Sequence, residues 1–175
     1  MFEDKLIQAK EIIRTQLGIE NGSQNEAFLE AVADYLYQEE LFKERLTHDQ
    51  KLINAVKKIQ SINSHQELYR LYIDTMREEV VSACLVDLVN PIANSIVNDP
   101  EIVTSCLEEL AFKLQDNGLP SIQKCQLKYY FSELYELAAY VFEHSPLIEK
   151  NSGTYGFHSQ EIQACFSFFE NIRLQ

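Results

Sequence analysis

Apolar positions recur every three to four residues along almost the whole chain, the spacing of one face of an α-helix. Phe2, Leu6, Ala9, Ile13 and Leu17 make the first stripe, which Gly18 and the Asn21-Gly22 turn close. Ser23-Gln24-Asn25-Glu26 has the form of a capping box. It opens a second helix with Phe28, Val32, Tyr35 and Leu36 inward, continuing toward Phe42 and Leu46. The opposite face of that helix carries Glu30, Asp34, Glu39, Glu40, Lys43 and Glu44, which predicts a surface helix. Thr47-His48-Asp49-Gln50 repeats the capping pattern before a short third helix with Leu52, Val56 and Ile59 as its inner stripe.

Ser64-His65-Gln66-Glu67 opens the stretch around which the rest is organised. It is amphipathic at first and then, from Val80 to Val89, apolar on almost every side. Such a composition predicts a buried central helix over roughly 65–97, because an exposed face would carry polar residues. Pro91 removes a backbone donor and must kink or break that helix. The stripe runs on in phase through Leu88, Ile92 and Ile96, which favours a kink over a clean break.

Asp99-Pro100-Glu101 starts a further helix through Val103, Leu107, Leu110 and Leu114 to Asn117-Gly118. From Ser121 to Ser145 the stripe Leu127, Tyr130, Phe131, Leu134, Leu137, Ala138 and Val141 predicts the most regular helix of all. A loop follows at 146–156. The last helix begins near Ser159 and carries Ile162, Cys165, Phe166, Phe169 and Ile172. These are seven helices with no convincing strand, in one all-α domain spanning 1–175, with neither linker nor internal repeat.

Composition supports this pattern. Five Gly and four Pro in 175 residues suit long helices better than a sheet with many tight turns, and 46% hydrophobic residues supply a core. Charge changes the picture more. Fifteen basic residues against 27 acidic give −12, of which −9 falls after residue 64. Phosphate backbones and anionic lipid are repelled by such a surface, so neither nucleic acid nor membrane is an expected partner. The N-terminus lacks the basic region and apolar core of a signal peptide, which predicts a cytoplasmic protein, or an effector delivered into a host cytosol.

Candidate chemistry is sparse. Cys84, Cys106, Cys125 and Cys165 lie at least 19 residues apart among apolar neighbours, and read as small buried hydrophobes rather than disulfide or zinc ligands. His48-Asp49 resembles half of a metal-dependent phosphohydrolase motif, but His48 is the first histidine and no earlier one completes it. Its place at a helix start explains the acid. Glu-x-x-His is absent, which excludes a di-iron bundle, and so are His-Glu-x-x-His and the glycine-rich nucleotide loops. No cofactor and no metal are expected.

Glu133, Glu136, Tyr140 and Glu143 share a helix face that would hold a carboxylate pair or form the solvated side. Cys125 has Lys124 and Lys128 beside it, the setting that lowers a thiol pKa, but lacks a histidine partner. Tyr129, Tyr140, Tyr37 and Tyr69 lie off the main stripes of their helices. Tyrosine at such places is a natural interface anchor. With Glu133 and Glu136 they make the candidate contact residues of a non-enzymatic protein-binding module, an adaptor, chaperone-like or regulatory protein with a basic and apolar partner. A helical sensor for a small ligand and an enzyme with a carboxylate or cysteine site are the rival readings. Homo-oligomerisation stays open.

Overall fold

Three helices with good local start signals build the first part of the molecule. In a computed structural model that describes residues 2–151 and 153–166, they are α1 (Phe2–Leu17), α2 (Gln24–Leu41) and α3 (His48–Gln60). Ser23 Oγ accepts from Glu26 N–H at 3.2 Å, while the Glu26 carboxylate turns to Arg14 of α1 at 3.7 Å, so only half of that capping box forms. Thr47 and Gln50 complete both halves of theirs, at 3.2 and 2.9 Å. By its contacts the chain divides into two units, residues 1–75 and 76–175, although the sequence shows no linker or change of composition there. α4 (His65–Leu85) begins in the first unit and ends in the second.

The first unit buries most of the expected stripes, Ala9 and Ile13 of α1, Phe28, Val32 and Leu36 of α2, and Leu52 and Ile59 of α3, and half-buries Leu6, Leu17, Tyr35 and Val56. Phe28 stacks on Tyr72 with ring centroids 4.1 Å apart and meets the edge of Tyr69 at 6.0 Å. Lys10 and Arg14 both pair with Glu30 across α1 and α2. Two expectations fail here. α2 stops at Leu41 and leaves Phe42 exposed. Glu40, expected on the solvated face, is wholly buried.

The expected central helix ends early. α4 stops at Leu85, and residues 86–90 form a turn in which Asp87 N–H donates to Cys84 C=O at 3.0 Å and Asn90 N–H to Asp87 C=O at 2.9 Å. Asn90 then caps α5 (Pro91–Asn98) by accepting from Ile92 N–H at 2.9 Å, with Pro91 at the first helical position, where its missing donor costs nothing. The Asn-Pro pair therefore starts a helix rather than kinking one. Val80 and Cys84 are buried, but Val86 is 90% and Val89 97% exposed, so the apolar run is not a buried centre throughout.

α6 (Glu101–Asn117) follows as expected and ends at Gly118 in the left-handed conformation. The most regular stretch of the sequence then proves to be the most broken. β1 (Ile122–Gln123) leads through a 3-10 turn to α7 (Leu127–Phe131), a second 3-10 turn (Ser132–Leu134) and α8 (Tyr135–His144). β2 (Ile148–Glu149) and β3 (Thr154–Phe157) complete a three-stranded antiparallel sheet in the order β1-β3-β2, where no strand was expected. Ile122 faces Tyr155, and Ile148 faces Phe157. All four are buried, so these pairs belong to the core, while Gln123 is exposed. Gly156 fits because a Cβ there would stand 2.7 Å from the Pro120 carbonyl oxygen. A helical segment over 160–166 closes the described chain and buries Ile162 and Phe166. Phe169 and Ile172 lie outside the described residues. The architecture is mostly α-helical, as the hydrophobic spacing predicts.

Candidate functional site

One face of α6 and the broken α7–α8 segment line a half-open cavity of the second unit, about 400 Å³. Ile102, Ser105, Cys106 and Glu109 follow at helical spacing on the α6 side, just past Asp99 and Glu101. The core stripe of α6, Val103, Leu107, Leu110 and Leu114, is a separate face, so this helix is apolar on two sides. Tyr130, Phe131, Ser132, Leu134 and Leu137 form the opposite wall. Phe131 and Cys106 are buried at the floor, whereas Leu134 is 58% exposed at the mouth.

The wall has this shape because the backbone turns sharply at Ser132, with φ 51° and ψ −123°. Among the described residues it is the only non-glycine residue with positive φ. No glycine or proline lies between residues 127 and 144 to announce a break. A side chain in this region of conformational space costs about 1–3 kcal/mol and persists where the surroundings over-determine it. Ser132→Gly should relieve the strain and, after the loss of some entropy to the more flexible unfolded chain, stabilise the protein by about 1 kcal/mol. Thermal melts should show a rise in Tm. A fall would mean that the serine side chain contributes more than its backbone costs.

Carboxylates border the groove on its α6 side. Asp99, Glu101 and Glu109 line it, and no basic residue does. Glu101 meets Arg77 at 3.4 Å and Glu109 meets Lys113 at 3.5 Å, exposed pairs that leave the acids available to other cations. Residues 99–143 carry eight acidic and three basic side chains. Cys106 brings no charge, because burial first and then the nearby Glu109 push its thiol up to about 12. The groove is thus apolar within and acidic along its α6 rim.

The expected contact residues fall on different surroundings. Tyr129 is 82% exposed and packs edge-on against Tyr130 of the groove wall, centroids 5.1 Å apart. Glu133 and Glu136 are exposed on the same segment. Tyr140 is buried, contrary to its reading as an outward anchor: the break at Ser132 rotates α8 away from the frame of a continuous helix. Its hydroxyl donates to Asp87 at 3.2 Å and its ring stacks on His144, centroids 4.1 Å apart. Burial above all raises its pKa, so the hydroxyl keeps its proton and holds the 86–90 turn. Tyr37 and Tyr69 belong to the first unit and are half-buried, Tyr37 beside Lys10 and Glu30 in a pocket of about 420 Å³.

Cys125 and Glu143, residues of the enzyme reading, have separate partners. Cys125 is exposed rather than buried, its thiol 3.4 Å from Gln123 Oε1. Lys124 is drawn to Glu143 at 3.0 Å and lies over the Tyr155 ring, while Lys128 lies over Tyr135. Glu143 accepts from the Tyr155 hydroxyl at 2.5 Å, and that bond together with Lys124 lowers its pKa. This cluster ties α8 to β3. Among the described residues, no three His, Cys, Asp or Glu side chains gather as metal ligands, and no helix is long and apolar enough to cross a membrane.

Sequence reading missed the groove because its wall depends on the break at Ser132. The available signal was the second apolar face of α6, Ile102 and Cys106 one turn apart among carboxylates. No family model, curated protein or solved structure matches this sequence.

Proposed function

We propose that this chain is a non-enzymatic protein-binding module, an adaptor, chaperone-like or regulatory protein, working in the cytoplasm or in a host cytosol. Its partner presents basic and apolar residues. The observation that carries this reading is the groove of the second unit, an apolar floor under a rim of Asp99, Glu101 and Glu109 with no lining cation. The net charge of −12 supports it, since long-range attraction favours basic partners.

A cavity of about 400 Å³ also lies within the range of small-ligand sites, which favours the sensor as the second reading. Native mass spectrometry of the protein recovered from its own source separates the two. The module should retain a polypeptide. A small molecule held instead would establish the sensor, and a bare chain would count against both.

A further inference from the structure

We propose that the groove between α6 and the α7–α8 break receives an amphipathic α-helix of the partner protein. Two apolar side chains one turn apart would enter the groove, with Lys or Arg flanking them. The proposal rests on the protein-binding reading and gives the partner its chemistry.

Three features select this occupant. The first is the form of the floor: Ile102 and Cys106 are one helical turn apart and face Leu134 and Leu137, so the apolar strip repeats at the interval at which a helix presents its own anchors. An extended peptide would instead need a sheet edge. Here β1 and β2, the outer strands, are two residues each.

The second feature is charge. Asp99, Glu101 and Glu109 border the strip from the α6 side, and the exposed Glu133 and Glu136 follow Ser132 on the other. A basic helix is matched on the α6 flank and an acidic one is repelled. The chain's own charge of −12 also argues against a second copy as the occupant. The third feature is the aromatic extension of the wall. Tyr129 stands 82% exposed against Tyr130, offering a rigid ring beyond the groove to cover an entering helix.

The test is fluorescence anisotropy with a labelled, lactam-bridged helical peptide bearing Leu at i and i+4 and Lys on the flanking positions. The full chain should bind it in the micromolar range, and the affinity should fall as salt rises. Leu134→Asp and the double variant Glu101→Gln/Glu109→Gln should each weaken binding about tenfold. All three positions are exposed or partly exposed at the surface, so thermal melts should confirm unchanged folding. Equal binding of a Lys-to-Glu peptide, or of one broken by a central proline, would overturn the proposal, and so would tight binding of spermine alone. No binding at about 1 mM peptide would overturn it as well. Should the protein from its own source retain a polypeptide that Leu134→Asp does not release, the groove is wrong and the protein-binding reading stands. If it retains none, the reading itself fails.

Discussion

Replacing Lys43 and Lys58 together with Met is expected to destabilise the protein by about 3–5 kcal/mol, the cost of stranding a buried charge. The charge is Glu40, 0% exposed on a helix face that its neighbours mark as solvated. Its carboxylate accepts from Lys43 and Lys58 at 2.9 Å each and from Asn54 at 3.4 Å. Both lysines are only about half in water, so each keeps part of its hydration while neutralising the acid. Burial alone would raise the carboxyl pKa. The three hydrogen bonds outweigh it and bring the group from 4.5 to about 2.

The pH dependence follows from that direction. Stability from Glu40 is present above about pH 4.5 and is lost as pH falls toward 2. At the alkaline end Lys58 is raised above 10.5, first by its hydrogen bond to Glu40, so its contribution is present below that value and lost as pH rises beyond it. In the double variant Glu40 should titrate above its ordinary value, turning an acid-labile contribution into an acid-relieved one. Adding Glu40→Leu should then recover most of the loss, because the defect is the unpaired charge rather than the missing attraction. Urea denaturation at neutral and acidic pH compares both variants with the parent. A loss below about 1 kcal/mol in the double variant would place the cluster among ordinary surface pairs.

Phe142→Ala should cost a similar amount, about 3–5 kcal/mol, by leaving a cavity. The ring is fully buried, 5.5 Å from Phe131 and 5.4 Å from Tyr155 between centroids. Phe131 is also the floor of the groove, so the same substitution should weaken binding of the basic helical peptide. Phe142→Leu, nearer in volume, should cost less than about 1.5 kcal/mol and spare the groove. Calorimetric melts and peptide titrations distinguish the two variants. Equal stability of Phe142→Ala and the parent would mean that the surroundings collapse into the space.

Local signals were legible where one residue type has one job. Thr47 and Gln50 named the start of α3, and the stripes of α1 to α3 and α6 located their inner faces. Signals failed where distant contacts decide. The in-phase stripe around Asn90-Pro91 favours a kink, and only the turn at 86–90 selects the cap with Pro at the first position. Two-residue strands such as β1 and β2 are too short to show alternation, and their pairing to β3 joins residues far apart in sequence. Glu40 follows the charge pattern of its exposed neighbours, while the lysine that completes its site belongs to another helix. Tyr140 and the groove were lost together. Both depend on the turn at Ser132, where helical periodicity continues and the helix does not.

That turn also shapes how the protein tolerates change. At φ 51° and ψ −123° glycine alone sits without strain, so nearly every replacement of Ser132 inherits the burden or adds bulk to it. The site has a single direction of relief. A lineage free to drift there would find glycine as its gain in stability, and a lineage that keeps a side chain keeps the bend at a standing cost. Position 132 is thus the place where the history of this sequence would record whether the serine side chain was worth more than the stability it forgoes.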